Sequence, residues 1–223
     1  MKKTSNLLCF IPARGGSTRI KNKNLKKINN KTLVEITINQ AIKCKIFNRK
    51  NIILSSDNNK ILNIGKKFKI SSIKRSQKNS RGKSKIEYAM LEVLMTKKFK
   101  NYQGIILLQP TSPLRKVETI RKFAKYCTKN KLDHCLTVNK VFGNLGSWSS
   151  KYFNPINKKR LMTQFIKPFL YENSLAYFVS KKFFLKRKKV YPKKNWFYYV
   201  TDKYESLDIN DINDYKICQK LLK

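Results

Sequence analysis

The sequence predicts an α/β fold in which helices cover both faces of a mostly parallel sheet. Short apolar runs alternate with amphipathic segments of helix length, which is typical of repeated strand–helix units. The chain has 223 residues, enough to bury a core without disulfides or metal ions. No linker rich in Pro, Gly and Ser divides it, so we expect one domain over residues 1–223. Residues 141–169 have no clean period and are expected to form an irregular insertion.

Each element rests on a local pattern. Apolar runs bounded by turn residues predict strands, at residues 7–11, 51–55, 104–108, 135–138, 175–179 and around 197–200, and residues 207–209 also form a strand-like stretch. Capping patterns followed by helical stripes predict helices. These helices are expected from Thr32, from Asp57 to about Phe68, from Ser84, from about Lys116 and from about Asp211 to Leu222.

The charge is extreme, since 51 Lys and Arg against 12 Asp and Glu give a formal net charge of +39. This balance excludes a strongly acidic binding surface and favours an anionic ligand, whether a nucleotide, a nucleic acid, a lipid head group or an acidic sugar. Lys, Asn and Ile are frequent along the whole chain, which indicates a general compositional bias more than a dedicated basic arm.

The five cysteines include no C-x-x-C pair, which predicts reduced thiols in a cytosolic protein. The first apolar run, residues 7–11, is too short for a signal-peptide core or a membrane span. We therefore expect a soluble, cytoplasmic protein with no membrane partner.

The loop after the first strand, residues 12–24, has the composition of a phosphate-binding turn. Gly15, Gly16 and Ser17 allow backbone amides to approach a phosphate, and four basic residues supply charge. The alternative is a plain surface loop in a lysine-rich chain. Neither a Walker loop nor a G-x-G-x-x-G fingerprint is present, which removes the main support for P-loop hydrolases and ordinary dehydrogenases.

Five segments carry a resemblance to a known family. They read P-A-R-G-G-S-T-R-I-K-N-K-N at 12–24, S-S-D at 55–57, L-L-Q-P-T-S-P-L-R at 107–115, Y-E-N-S-L-A-Y at 171–177 and S-L-D-I-N at 206–210. In this order, over nearly the whole chain, they resemble the acylneuraminate cytidylyltransferases, also called CMP-sialic acid synthetases.

The resemblance implies a Rossmann-like nucleotidyltransferase fold and a reaction. The anomeric hydroxyl of an acidic nine-carbon sugar would attack the α-phosphate of CTP, and pyrophosphate would leave with the assistance of Mg²⁺. The segment 171–177 favours a sialic or legionaminic sugar over a pseudaminic one. By the same resemblance, residues 141–169 would reach a second subunit and form a homodimer.

The resemblance also implies the site residues. The catalytic residues would be Arg14, Lys23 and Asp208. The nucleotide would be bound by Ala13, Arg14, Gly15, Ser17, Lys23, Asn24, Arg75 and Ser84. The sugar would be contacted by Gln109, Asn173 and Tyr177, and the metal by Asp208 and Asn210.

Three of these residues have a structural alternative that the sequence leaves open. Ser84 also fits a helix N-cap, Gln109 a polar residue that ends a strand, and Tyr177 a core aromatic on a strand.

The chain departs from the family pattern at several positions. Asn210 replaces an aspartate, so metal affinity should fall or depend more on the phosphates, while Asp211 is expected to cap the last helix. Thr163-Gln164 replaces Arg-Gln, which puts the binding of the sugar carboxylate in doubt. The other departures are Thr18 for lysine, Asn30 and Ser174 for glycine, and Arg81 in a usually acidic stretch. Because the phosphate-facing residues are retained, a divergent substrate is favoured over a weakened, nucleotide-binding relative.

A second function class remains as an alternative. Lys181-Lys182 and residues 186–189, with aromatic residues between them, could bind nucleic acid. On a chain this basic a solvated face is the favoured interpretation, so a nucleic-acid partner is not expected. The single histidine, His134, lies far from every motif and is interpreted as structural.

Overall fold

The structure is a computed structural model that describes residues 6–76, 78–79, 84–94, 96, 101–149, 151–157, 159–192 and 194–222. The strands are β1 (Leu7–Pro12), β2 (Lys27–Ile28), β3 (Lys31–Thr32), β4 (Ile52–Ser56), β5 (Ser71–Lys74), β6 (Gly104–Leu107), β7 (His134–Val141), β8 (Gly146–Ser149), β9 (Tyr152–Pro155), β10 (Phe169–Ser180) and β11 (Tyr198–Val200). The helices are α1 (Leu33–Lys43), α2 (Asn59–Lys67), α3 (Ile86–Leu94), α4 (Val117–Lys129), α5 (Lys181–Arg187) and α6 (Ile212–Leu221).

Seven strands form the central sheet in the order β11-β7-β10-β6-β1-β4-β5. Neighbouring strands are parallel except β10, which runs antiparallel to both β6 and β7. The α/β prediction with a mostly parallel sheet is confirmed. The four parallel strands β6, β1, β4 and β5 bring their carboxyl ends, and the loops that follow them, to one edge of the sheet.

Two apolar clusters cover the two faces of the sheet. Alternate residues of β1 belong to different clusters. Leu7 and Cys9 pack on the side of α1 and α4, whereas Leu8 and Phe10 pack on the side of α3. Every one of these side chains is at least 98% buried, as expected for a parallel strand covered on both faces.

A third, smaller cluster joins α6 to the β2–β3 hairpin. Ile20, Ile28 and Leu33 pack there against Ile209 and Tyr215. This packing places residues 207–210 beside the loop that follows β1, although almost 200 residues separate the two segments in sequence. Within the part of the chain that the structure describes, no helix has the length and apolarity needed to cross a bilayer.

Two helix starts agree with the sequence analysis. Thr32 and Glu35 form the predicted capping box of α1, and Asp211 caps α6 through the amides of Asn213 and Asp214.

Three local predictions are wrong. The N-cap of α2 is Asn58, whose side chain accepts from Lys60 N and Ile61 N, because the Asp57 carboxylate is turned towards the loop after β1. Among the described residues the Ser84 hydroxyl has no hydrogen-bond partner, so the capping box expected at α3 is not formed. The strand-like stretch at 207–209 is irregular backbone, fixed by side-chain packing and by bonds to other segments.

The insertion is more ordered than its sequence pattern predicts. Strands β8 and β9 form a separate antiparallel hairpin, paired from Gly146–Pro155 to Ser149–Tyr152. Apolar side chains are exposed across this region, with Tyr152 73%, Phe153 61% and Phe165 64% accessible to solvent. We call β8, β9 and residues 156–166 the arm.

Candidate active site

The loop after β1 is held in shape by bonds to the loop after β4. Gly15 N donates to Asp57 Oδ1 at 2.7 Å, and Ala13 N donates to Ser55 O at 3.0 Å. Asn24, which is buried, donates from Nδ2 to Arg14 O at 2.8 Å. The loop is therefore fixed at both its glycine turn and its end before any ligand binds.

A cavity of about 300 Å³ lies at this edge of the sheet, and we call it the nucleotide cavity. Six of the predicted nucleotide-binding residues line it: Arg14, Ser17, Lys23, Asn24, Arg75 and Ser84. The lining includes four cationic side chains (with Arg19 as the fourth) and no carboxylate among the described residues. Such a cavity favours a polyanionic ligand.

Two predicted residues support this cavity without lining it. Ala13 is completely buried, and Gly15 faces Asp57 and Asn58. A Cβ on Gly15 would lie 2.9 Å from Asn58 Cβ, so the close approach of the two loops requires glycine at this position.

Lys23 connects the nucleotide cavity to Asp208. Its Nζ donates to Ile209 O at 2.8 Å. Burial lowers the pKa of the Lys23 amine from its usual value, and the nearby Asp208 carboxylate acts in the opposite direction. The amide of Ile209 in turn donates to Thr111 O at 2.8 Å. The carbonyl and the amide of Ile209 are therefore hydrogen-bonded to Lys23 and Thr111, and both of these residues line the nucleotide cavity.

Arg75 and Ser84 form the far side of the nucleotide cavity. The Arg75 guanidinium is buried and donates to Ser55 Oγ and Ser55 O, each at 3.3 Å. Burial lowers the pKa of Arg75, while Asp57 and Glu92 oppose this shift. The Ser84 hydroxyl, buried and without a partner among the described residues, favours the ligand-contact interpretation over the N-cap alternative. Arg81 lies outside the described residues.

A second cavity, of about 650 Å³, contains Asp208 and Asn210 and is called the acceptor cavity. These two residues flank Ile209, whose carbonyl accepts from Lys23 of the nucleotide cavity. Lys140 and Lys203 also line the acceptor cavity. The only ion pair in the described part of the chain is that of Glu118 with Arg121, so neither lysine has a described carboxylate within 4.0 Å.

The residues around Asp208 fit a hard cation that takes oxygen ligands. Asp208 Oδ1 is buried and has no hydrogen-bond partner among the described residues, while Oδ2 accepts from Asn210 Nδ2 at 3.1 Å. No cluster of three or more His, Cys, Asp or Glu suited to a metal occurs in the described ranges. A Mg²⁺ ion bound by Asp208 and Asn210 would therefore take most of its ligands from phosphate and water.

The three predicted sugar residues are placed differently from one another. Gln109 lines the nucleotide cavity beside Pro110 and Thr111. Asn173 is 1% exposed, and its amide bonds to Thr137, Asn139 and Thr201 at 2.7 Å each. Its direct contact with a sugar stays a prediction, and in the structure its partners are protein groups.

Tyr177 is likewise buried. Its hydroxyl donates to Glu172 Oε1 at 2.6 Å and lies 3.1 Å from Ser174 Oγ. Burial raises the pKa of Tyr177 above its usual value. This environment matches the core-aromatic alternative, and contact of Tyr177 with a sugar is untested.

Two departures from the family pattern have a backbone explanation. Asn30 has φ 62° and Ser174 has φ 58°, both in the left-handed region that favours glycine. Asparagine tolerates this region at low cost, whereas serine adopts it at a higher cost. Ser174 lies in the register shift of β10 between Glu172 and Tyr177, where the strand leaves and rejoins its pairing with β7.

Sequence reasoning missed several residues that build the site. The sequence predicts Asp57 as an N-cap, whereas its carboxylate holds Gly15 N, and no motif points to the cations of the acceptor cavity, Lys140 and Lys203. Arg115, the last residue of the L-L-Q-P-T-S-P-L-R segment, is 2% exposed and bonds to three segments. A charged residue at the end of an apolar, proline-containing segment was the available signal for a buried structural arginine.

The remaining candidates lie elsewhere. Lys186, Lys189 and Tyr191 line a separate cavity of about 490 Å³ beside α5. His134 packs against the rings of Phe183 and Phe197, with Nε2 3.0 Å from Asn195 O, which agrees with its structural interpretation.

The similarity to known proteins covers nearly the whole chain. An N-acylneuraminate cytidylyltransferase of Streptococcus agalactiae serotype V is 26% identical over 214 residues, which cover 93% of this chain and 51% of the relative. The chain thus spans about half the length of that relative. A CMP-N,N'-diacetyllegionaminic acid synthase of Legionella pneumophila is 26% identical over 239 residues, covering 97% of this chain and 96% of the relative. The post-translational flagellin modification protein B of Campylobacter coli is 27% identical, with 98% and 96% covered.

Solved structures share the fold at lower identity. A CMP:2-keto-3-deoxy-manno-octonic acid synthetase complexed with CTP superposes with a TM-score of 0.72 at 13% identity, covering 98% of each chain. A 4-diphosphocytidyl-2C-methyl-D-erythritol synthase superposes with a TM-score of 0.74 at 10% identity, covering 98% of this chain and 99% of its own. The sequence profile described as cytidylyltransferase matches residues 8–220. The chain belongs to the cytidylyltransferase family.

Proposed function

We propose that the protein transfers the cytidylyl group of CTP to the anomeric hydroxyl of an acidic nine-carbon sugar, of sialic or legionaminic type, and releases pyrophosphate. One observation carries the proposal. Asp208 and Asn210, which line the acceptor cavity, flank Ile209, and Ile209 O accepts a hydrogen bond from Lys23, which lines the nucleotide cavity. In the proposed reaction the donor phosphate beside Lys23 and the acceptor hydroxyl beside Asp208 meet at this segment.

The residues of the nucleotide cavity suit the charge changes of this reaction. Negative charge develops on the α-phosphoryl oxygens and on the departing pyrophosphate, so catalysis consists mainly of positioning and electrostatic stabilisation. The Arg14 guanidinium can bind two phosphate oxygens with its planar fork, and the Lys23 ammonium acts as a point charge. Lys23 is already anchored to Ile209 O and needs little reorganisation.

Asp208 and Asn210 would hold the Mg²⁺ ion. When bound, the ion would neutralise phosphate charge beside Lys23. Asn210 contributes an amide oxygen without negative charge, so the ion's affinity would depend on the triphosphate more than in relatives with two aspartates.

The acceptor cavity suits an acidic sugar. Lys140 and Lys203 line its wall, and their ammonium groups can pair with a sugar carboxylate. This pairing would supply the positive charge that an arginine provides in the family pattern, where this chain has Thr163. The relatives include an N-acylneuraminate cytidylyltransferase and a CMP-N,N'-diacetyllegionaminic acid synthase, and both of these sugars carry a carboxylate.

The assembly proposed with this function is a homodimer in the cytoplasm. The arm exposes aromatic side chains that a second copy would cover, because monomers rarely expose so many large apolar groups together.

The experiment is an assay of pyrophosphate release with Mg²⁺, CTP and either N-acetylneuraminic or legionaminic acid. Release that requires both CTP and the sugar is the expected result. CTP binding without release for any nonulosonic acid would leave only a nucleotide-binding relative. Absent turnover together with tight, salt-sensitive binding of DNA or RNA would favour the nucleic-acid alternative instead.

A further inference from the structure

We propose that Arg115 is a positioning residue. It holds the Gln109 loop of the nucleotide cavity in a fixed position relative to the irregular segment of β10. The inference rests on the proposed function for its consequence in catalysis. Its structural part rests on the hydrogen bonds of the Arg115 side chain.

The Arg115 guanidinium donates to three separate segments. Nη2 donates to Gln109 O at 2.8 Å, Nε to Leu175 O at 2.7 Å and Nη1 to Gln40 Oε1 at 2.9 Å. Gln40, on α1, returns two bonds from Nε2, to Pro113 O at 2.7 Å and to Arg115 O at 2.8 Å. Loop, strand and helix are therefore joined at one buried group.

A buried arginine without a carboxylate partner is costly. Among the described residues, no Asp or Glu lies within 4.0 Å of the Arg115 guanidinium. Burial lowers the pKa of Arg115 to about 10, a shift that Cys9, Asp208 and Glu205 oppose. Since an apolar side chain would avoid this cost, the geometry of the guanidinium fork is the reason for an arginine here. A lysine cannot reach three acceptors in fixed directions.

Arg115 joins a loop that lines the nucleotide cavity to β10, whose residue Tyr171 lines the acceptor cavity. Gln109 lines the nucleotide cavity, and Thr111, two residues later, accepts the amide of Ile209. Leu175 follows Ser174, the strained residue in the register shift of β10. A displacement at Arg115 would therefore move Gln109 and Ile209 relative to β10. An error of about 1 Å in such positioning can cost about 100-fold in rate.

The test compares Arg115→Lys with Arg121→Lys. Arg121 is a matched control, because it also donates to two main-chain carbonyls, Cys44 O and Lys43 O, but lies half-exposed on α4. We expect Arg115→Lys to lower kcat by about 10- to 100-fold with CTP affinity changed less than about threefold, and Arg121→Lys to match the wild type. Equal kcat in the two variants, or a loss confined to CTP affinity, would overturn the proposal.

Hydrogen exchange provides a readout that does not need turnover. In Arg115→Lys the amides of residues 109, 111 and 112 and those of residues 173–177 should both exchange faster, whereas in Arg121→Lys neither set should change. Faster exchange in only one segment, or in neither, would overturn the coupling even if the wild type lacked activity with every sugar. A wild type without activity would reject only the proposed function and would leave the structural role of Arg115 standing.

A milder variant covers the case in which Arg115→Lys does not fold. Gln40→Ala removes one acceptor of the fork and keeps the charge. It should lower kcat by less than Arg115→Lys, by about 3- to 10-fold, and loosen the same two segments. Wild-type kcat and exchange in Gln40→Ala would contradict the proposal.

Discussion

Three of the buried polar atoms without described partners lie at the candidate active site. Among the described residues these atoms include Ser84 Oγ, Thr111 Oγ1 and Asp208 Oδ1, all of which belong to residues that line the two cavities. Two others, on Ser72 and His134, lie elsewhere. A buried polar atom left unbonded costs about 1–3 kcal/mol, so the two atoms of the nucleotide cavity and the one of the acceptor cavity are groups that bonds to a ligand would satisfy.

At the scale of single residues, the testable prediction concerns the contribution of Lys23 to catalysis. In the proposed reaction Lys23→Ala removes a preorganised charge that stabilises the triphosphate, and it should lower kcat/KM by about 100- to 1,000-fold, or about 2.7–4 kcal/mol of transition-state stabilisation. The matched control is Lys21→Ala, an exposed lysine in the same loop, which should retain most of the activity. The check is steady-state pyrophosphate release. An unchanged rate in Lys23→Ala would remove Lys23 from the mechanism.

At the scale of elements, two loops that follow parallel strands form the nucleotide cavity together. The Asp57 carboxylate holds Gly15 N across 42 residues of sequence, and Asn58 packs against the same glycine while it caps α2. The loop after β1 thus gains its shape from its neighbour, and the glycine is required by contact with Asn58 instead of by a positive φ.

The two adjacent glycines should respond differently to the same substitution. Gly15→Ala forces Cβ against Asn58 and should lower the free energy of unfolding by about 1–3 kcal/mol, with weaker CTP binding. Gly16→Ala is the control, because a Cβ there has nothing within 4 Å. Thermal unfolding and CTP titration would measure both effects. Equal behaviour of the two variants would show that the loop does not need Gly15.

At the scale of elements, the second testable prediction is that the arm forms the dimer interface. Tyr152→Lys places a charge on a side chain that is 73% exposed in one chain and would be covered in a dimer. We expect its mass in solution, measured by light scattering, to fall from twice the 26.3 kDa of one chain to that of a monomer. Tyr204→Lys, at 74% exposure outside the arm, should remain dimeric. A dimeric Tyr152→Lys would argue against the arm as the interface.

At the scale of the whole molecule, the fold protects its thiols. All five cysteines are free and buried. Burial raises the pKa of Cys9, Cys44 and Cys127 above the usual value, and that of Cys218 to about 12. The thiolate is the reactive form, so a raised pKa lowers its fraction near neutral pH.

This protection predicts slow thiol chemistry in the folded state. At pH 8 the native protein should react only slowly with Ellman's reagent, whereas the same protein in denaturant should release the equivalent of five thiols. Because the folded state favours the protonated thiol, reactivity should rise only as the pH approaches the raised values. Several thiols that react at once in the native protein would contradict the buried arrangement.

The sequence predicts six of the seven strands of the central sheet, all except the edge strand β5, and two of the caps, because these depend on local patterns. The apolar run of β1 and the Thr32–Glu35 pair specify their own conformations. The contacts of Asp57, Ile209 and Arg115 could not be predicted in this way, because each joins segments separated by 42 or more residues. The arm was missed because an exposed hairpin lacks the burial that produces a clear alternation.

In the proposed function, the loop after β1 holds the triphosphate opposite Asp208. The most direct measurement is a crystal structure of the protein with CTP and Mg²⁺. We predict phosphate oxygens within hydrogen-bond distance of Arg14 and Lys23, and the metal on Asp208 Oδ1. A triphosphate bound elsewhere, for example among the lysines beside α5, with no phosphate oxygen near Arg14 or Lys23, would contradict the claim.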